Sequence, residues 1–251
     1  MANTTIPVEL SSTPGIVDNS NATAITIDSS ENVGIGNTSP VAYGTGITTL
    51  SFKGKDASLP NRSGAIVFDS QSGSGGGAWI LEDAGVLSFA TGSGAGLAAT
   101  ERLRIDSSGR VTMPYQPAFS VQPTSTQSNI AEGSFVTVIL GTETFDVGAN
   151  FASNTFTAPV TGKYQLNLSL RLESVDTAAN YYQIRCNTSN RPYYFTFHVP
   201  FAADATYWSP AFSVLADMDA NDTVYMEIAQ AGGTVQTDIH SETYFTGYLV
   251  A

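Results

Sequence analysis

The chain has 251 residues, of which 13% are charged, and a formal net charge of −12. That balance excludes a nucleic-acid binder, which needs clustered Lys and Arg to displace phosphate counterions, and a protein held by charge to anionic membranes. The single cysteine, Cys186, excludes an intrachain disulfide framework and a multi-cysteine zinc site.

Taken from the start, MANTTIPVEL lacks the basic residues and apolar core of a signal peptide. No run approaches the roughly 20 apolar residues that span a bilayer. We therefore expect synthesis in the cytoplasm without standard export and no membrane insertion. The Asn-x-Ser/Thr triplets are then products of composition. Residues 1–40 read as a polar arm with one clear strand, Ala24–Ile27, in the phrase ITIDSSENV. The phrase returns as LRIDSSGRV at 103–111. Each copy predicts a hairpin. Ile25 and Ile27, or Leu103 and Ile105, share one face. An Asp-Ser-Ser turn follows, with Asn32 or Gly109 expected at positive φ.

Residues 41–114 hold short apolar bursts (TTLSF, AIVF, AWIL, VLSFA, LRI) between glycine-rich stretches such as QSGSGGGA and ATGSGAG. Sixteen of the 23 glycines precede Pro114, and glycine carries a high ordering cost with no side chain to bury. These hairpins need a partner surface, most simply copies of themselves. The one helix candidate is GLAATERLRI, 96–105. The glycine clusters lack the strand–Gly-x-Gly-x-x-Gly–helix setting of a phosphate cradle.

Composition changes at MPYQPAF, a stiff connection, and residues 115–251 read as a separate domain. In KYQLNLSLRL, Tyr164, Leu166, Leu168, Leu170 and Leu172 alternate with polar residues. YYFTFHV and DTVYMEI alternate likewise, and FVTVIL, YYQIRC, AFSVLA and YFTGYLV bring the count to at least seven strands. The fold class predicted is all-β, an arm and glycine-rich hairpin shaft followed by an antiparallel sandwich or jelly roll.

No catalytic motif accompanies His198 and His240, although Asp238 and His240 share a strand face. Cys186 shares a face with Tyr182 and Ile184 and reads as a core or interface thiol. DMDAND places Asp217, Asp219 and Asp222 at spacing reminiscent of a calcium loop, without its Gly at position six or Glu at position twelve. No cofactor is expected, with calcium at these carboxylates the single ion the spacing allows. Tyr181, Tyr193, Tyr194, Tyr207 and Trp208 are candidate contacts for sugars or proteins, or fillers of an interface between copies.

Two resemblances follow from these residues. ITIDSSENVGIGNTSP, ERLRIDSSGRVTM and the opening MANTTIPVELSSTPGIVDNSNATA resemble the N-terminal regions of bacteriophage tail-fibre and virion-surface proteins. VGIGNTSP differs at one position from the usual VGIGTTSP. The helical self-cleaving tail of that family is not found. PAFSVQPT, NTFTAPVTGKYQLNLSL, DMDANDTVYMEI and YFTGYLV resemble the jelly-roll head of the first complement component and tumour necrosis factor. Phe156, Pro159, Gly162 and Tyr164 match its Phe-x-x-Pro-x-x-Gly-x-Tyr pattern, and Phe245, Gly247 and Leu249 its last strand. The resemblances imply a non-enzymatic homotrimer on a virion surface. They also imply attachment to capsid or tail proteins through the N-terminal region and an outward head meeting host glycan or protein. Phe156, Tyr164, Leu166, Leu168, Phe245 and Leu249 are expected in its core or trimer interface, with Ile25, Ile27, Leu103 and Ile105 joining copies in the shaft. A short tail fibre or spike, a capsid decoration protein and a lectin-like or glycan-degrading module are the three roles open at this point.

Overall fold

The computed structural model describes residues 15–17, 23–35, 50–52, 62–68, 77–92 and 100–251. The residues that carry most of the arm, VGIGNTSP beyond Ile35 and the glycine stretches at 69–76 and 93–99 lie outside them. Every regular element among the described residues is a strand, as the all-β reading requires. No helix is present there, so none is long and apolar enough to cross a membrane. The chain divides into two compact units, Met1–Pro114 and Tyr115–Ala251.

The first unit holds two sheets. β1 (Gly15–Val17), β2 (Thr23–Ile27), β3 (Val33–Ile35) and β4 (Leu50–Phe52) form one, with β3 and β4 parallel. β5 (Arg62–Phe68), β6 (Ala78–Asp83), β7 (Val86–Thr91), β8 (Thr100–Ile105) and β9 (Val111–Thr112) form an antiparallel meander. The helix candidate of one or two turns at 96–105 is corrected over its described part: Thr100–Ile105 is β8, paired to β7, and residues 96–99 lie outside the described residues. Leu103 and Ile105 alternate with Arg102 and Arg104, and that period of two, completed by the ladder, overrides the helical propensity of Ala, Glu, Leu and Arg.

Both repeated phrases fold as expected into hairpins, β2–β3 and β8–β9. Their turns are built alike. The Asp28 N–H donates to the Asn32 carbonyl and the Glu31 N–H to the Asp28 carbonyl; Asp106, Gly109 and Arg110 repeat both bonds. Asp28 Oδ1 accepts from the Ser30 and Asn32 N–H groups at 2.8 and 2.9 Å, and Asp106 Oδ1 from those of Ser108 and Arg110 at 2.9 and 3.0 Å. Gly109 takes positive φ (79°) as expected; in the first turn Glu31 (65°), not Asn32, does so. Asn32 is instead buried, its amide donating to Asp28 Oδ2.

The second unit is a sandwich. One layer orders β12 (Thr142–Asp146), β10 (Ala118–Gln122), β23 (Tyr244–Leu249), β15 (Gly162–Ser169) and β20 (Ala211–Met218). The other orders β13 (Phe151–Ala152), β14 (Thr155–Thr157), β21 (Thr223–Ala231), β17 (Tyr181–Thr188) and β18 (Pro192–Phe197), with β11 (Phe135–Thr137) also on β21. A small third sheet orders β19 (Ala205–Trp208), β16 (Leu172–Val175) and β22 (Asp238–Ile239). KYQLNLSLRL is thus two strands, broken after Ser169, with Leu172 entering the third sheet.

The alternating apolar residues meet between the layers. Phe119 sits 4.6 Å from Phe156, 4.9 Å from Phe245 and 5.4 Å from Phe151, ring centre to ring centre. Leu166, Leu168, Ile184, Cys186, Met226 and Ile228 fill the same core. Gly247 makes room for it: a Cβ there would lie 2.6 Å from the Phe119 ring and 2.9 Å from Leu166. The Tyr164 hydroxyl, in the same core, donates to the Val160 carbonyl at 2.8 Å, which satisfies a group that is costly to bury alone.

Candidate functional site

The expected core or interface residues of the head divide by depth. Phe156, Tyr164, Leu166, Leu168 and Phe245 are buried within a single head, and Leu249 packs at its edge. Their place is the interior of one copy. What the β12–β10–β23–β15–β20 layer turns outward is a different set. Phe145, Ser120, Thr246, Asn167 and Ser213 form one continuous row, and Ala118, Tyr248, Gln165 and Leu215 the next. Phe145, Leu215, Tyr244 and Tyr248 are exposed there. Polar residues at the centre bond one another: Gln165 Nε2 donates to Ser213 Oγ at 2.7 Å and Ser213 Oγ to Asn167 Oδ1 at 2.8 Å.

The first unit inverts the usual pattern. Thr26 is buried, its hydroxyl without a partner. Ile25 is half-buried, and Ile27, Ile35 and Leu50 are exposed. In the meander, Ile66, Ile80, Phe89 and Leu103 form one unbroken apolar row, and Leu87, Ile105 and Val111 a second. None of the seven is buried; Ile66, Phe89 and Val111 are exposed. On the opposite face Ser88 and Ala90 are buried. Over the described residues 25–35, 50, 66, 77–92 and 100–114, Ala90 is the one buried apolar side chain of this unit.

The DMDAND carboxylates serve a turn. Asn221 takes φ 74°. Asp222 accepts from Ser189 Oγ, the Asp219 N–H and Asn190 Nδ2, each at 2.7 Å. These bonds, the Ser189 hydroxyl foremost, hold its carboxyl below the usual range. Asp217 accepts from Arg191 at 2.6 Å and from the Tyr193 hydroxyl at 3.2 Å. Among the described residues no group of three or more His, Cys, Asp or Glu side chains is arranged to hold a metal. Cys186 is fully buried and its thiol is pushed up to about 12 by burial, so it is not a reactive thiolate at neutral pH.

The aromatic candidates do not form one cluster. Tyr181, Tyr193 and Tyr194 lie on β17 and β18; Tyr207 and Trp208 lie on β19. Trp208 and Tyr193 pack against the core, Trp208 edge-on to Phe197 at 4.7 Å. Tyr181, Tyr194 and Tyr207 remain exposed. The Arg171 guanidinium stands 4.4 Å over the Tyr207 ring and is ion-paired to Glu242. His198 is exposed and its Nδ1 lies 2.7 Å from the Asn180 carbonyl; His240 Nδ1 accepts the Glu242 N–H. Neither histidine is hydrogen-bonded to a nucleophile.

One concave polar feature escaped the sequence reading. A cleft of about 510 Å³ opens beside the third sheet, lined by Asn129, Ser174, Asp204, Thr206, Gln236 and Asp238. These come from distant segments, so no local motif announces them. Asn129 and Ser174 both take positive φ, 56° and 54°.

The family model of the C1q domain matches residues 118–250, more than half of the 251-residue chain. Among solved structures, the chain is similar to the globular domain of zebrafish complement 1qA protein. The identity is 17% over 54% of this chain and 98% of that one, with a TM-score of 0.42. It is also similar to murine APRIL at pH 8.0, with 14% identity over 54% of this chain and 99% of that one and a TM-score of 0.39. No curated protein matches the chain. The jelly-roll resemblance drawn from NTFTAPVTGKYQLNLSL and YFTGYLV therefore holds, and the chain belongs to the C1q domain family, whose non-enzymatic module is often trimeric.

Proposed function

We propose that this chain is a structural protein of a bacteriophage virion. It acts as a homotrimer on the virion surface, attached to capsid or tail proteins through its N-terminal region. Its jelly-roll head points outward to adhere to the host, in the manner of a short tail fibre or spike. The observation that carries this reading is the inverted first unit. Ile27, Ile35, Leu50, Ile66 and Phe89 are exposed, while over the described residues 25–35, 77–92 and 100–114 Ala90 is the one buried apolar side chain. Such surfaces are stable only when covered. Copies of the same unit are the simplest cover, because a trimeric head holds three of them at high local concentration. The exposed Phe145, Leu215, Tyr244 and Tyr248, spread over adjacent rows of the outer layer of the head, supply a face for that trimer. The likeness of both Asp-Ser-Ser hairpins to tail-fibre modules supports the virion setting.

The test is sedimentation of the full chain, followed by immunogold labelling of purified virions. A trimer that labels virions in tens of copies is expected. Hundreds of copies per particle assign it to capsid decoration instead, which the small number of hairpin repeats favours. A monomeric protein, or unlabelled virions, overturns the reading.

A further inference from the structure

Resting on the adhesion role just proposed, we infer that the cleft beside β19–β16–β22 is a binding site for uncharged carbohydrate, with Tyr207 as its stacking platform.

The floor of the site is fixed by the protein. Asp204 accepts the Thr177 N–H and hydroxyl at 2.9 and 2.7 Å on Oδ1, and the Gln236 amide at 2.9 Å on Oδ2. Asp238 Oδ1 accepts the Asn129 N–H at 2.6 Å. These bonds hold both loops in place and leave other groups open. Among the described residues the Asn129 amide, the Ser174 and Thr206 hydroxyls and Asp238 Oδ2 have no hydrogen-bond partner, and neither does the Glu173 carboxylate. The set mixes donors and acceptors, which matches sugar hydroxyls that do both.

The register adds a direction. Glu173 pairs with Tyr207 on one side and with Asp238 on the other, so the three stand in one row across the sheet. Two strand spacings place Tyr207 roughly 10 Å from Asp238, a span for an oligosaccharide rather than a single ring. Tyr207 is 47% exposed although Arg171 covers part of its ring, so an apolar sugar face can stack on it. Glu173 and Asp238 are like charges directly opposed, an arrangement that costs stability, and Arg171 pairs with Glu242 instead. The same carboxylates repel acidic sugars. An ammonium ligand fits less well: it has only donors and would leave the Asn129 Nδ2 donors without an acceptor.

The experiment applies the full chain, in EDTA, to an array of immobilised neutral and uronate- or sialate-bearing oligosaccharides. Retention on neutral glycans and none on acidic ones is expected. Tyr207→Ala and Asp238→Asn should each weaken retention at least about ten-fold, and Tyr207→Phe, which keeps the stacking ring, should weaken it far less than Tyr207→Ala. Thr206→Arg fills the cleft without removing a hydrogen bond and should abolish retention in a normally folded protein. No retained glycan, equal retention of acidic glycans, dependence on added calcium, or binding indifferent to Thr206→Arg each overturns the site. Labelled virions with an empty array remove the site and leave the virion role; array binding by a protein absent from virions does the reverse.

Discussion

Asp28 and Asp106 do the same work in turns 78 residues apart in the chain. Both carboxyls lie below the ordinary value of 3.8, Asp28 chiefly through the Asn32 amide and Asp106 chiefly through the Arg110 N–H. A depressed folded pKa contributes stability that is present above the unfolded value and lost as pH falls through the folded one. The hairpins should therefore weaken as pH drops below about 4. The melting temperature of the full chain, followed from pH 6 to pH 3, should fall more steeply for the native protein than for the double variant Asp28→Asn/Asp106→Asn. Parallel curves would show that the carboxyl charge is not what closes the turns. Gly247 works by absence. Gly247→Ala forces the Phe119 ring out of place in a filled core, and such overpacking costs about 1–3 kcal/mol. Urea unfolding should show that loss with an unchanged slope.

At the scale of elements, β17 and β21 carry an ion pair on the outer face of their sheet. Arg185 and Glu227 are register partners joined at 2.6 Å, and the Arg185 guanidinium lies 3.9 Å over the Phe135 ring. The Glu227 side chain is 9% exposed and that of Arg185 22%. Removing one partner leaves a nearly buried charge, while replacing both with apolar residues does not. Arg185→Met should cost about 2–3 kcal/mol, somewhat below the roughly 3–5 kcal/mol of a fully buried pair because Arg185 is partly wet. The double variant Arg185→Met/Glu227→Leu should recover most of it in urea unfolding. The strands themselves were legible because alternation such as Val224–Met226–Ile228 needs only local information. Of β8, the Leu103–Ile105 end was legible through the repeated phrase, while Thr100–Arg102 was not, since its helix-forming composition yields only to pairing with β7. The cleft was not legible either. Asn129, Ser174, Asp204 and Asp238 meet only through the long-range pairing of β16 with β19 and β22.

The whole molecule divides its hydrophobic effect unevenly. The core that includes Phe119, Tyr164, Ile184 and Met226 lies within Tyr115–Ala251. The first unit turns Ile27, Leu50, Ile66 and Phe89 outward. A unit that buries little apolar surface cannot offset the entropy of ordering its glycines, so the two units should differ in what they need to fold. The fragment 115–251 should fold by itself and unfold cooperatively. The fragment 1–114 should show no cooperative transition as a monomer. In the full chain, where the head fixes the local concentration, its melting should be cooperative and independent of protein concentration. Fragment 1–114 by itself should gain structure only as its concentration is raised, because cover supplied by free copies obeys mass action. Ile66→Asp with Phe89→Asp places charges in the middle of the apolar row. It should abolish that first-unit transition and leave the transition of the head unchanged, read by scanning calorimetry. A first unit that melts normally with both aspartates would mean the row faces solvent in the native state, and the shaft joined between copies would have to be abandoned.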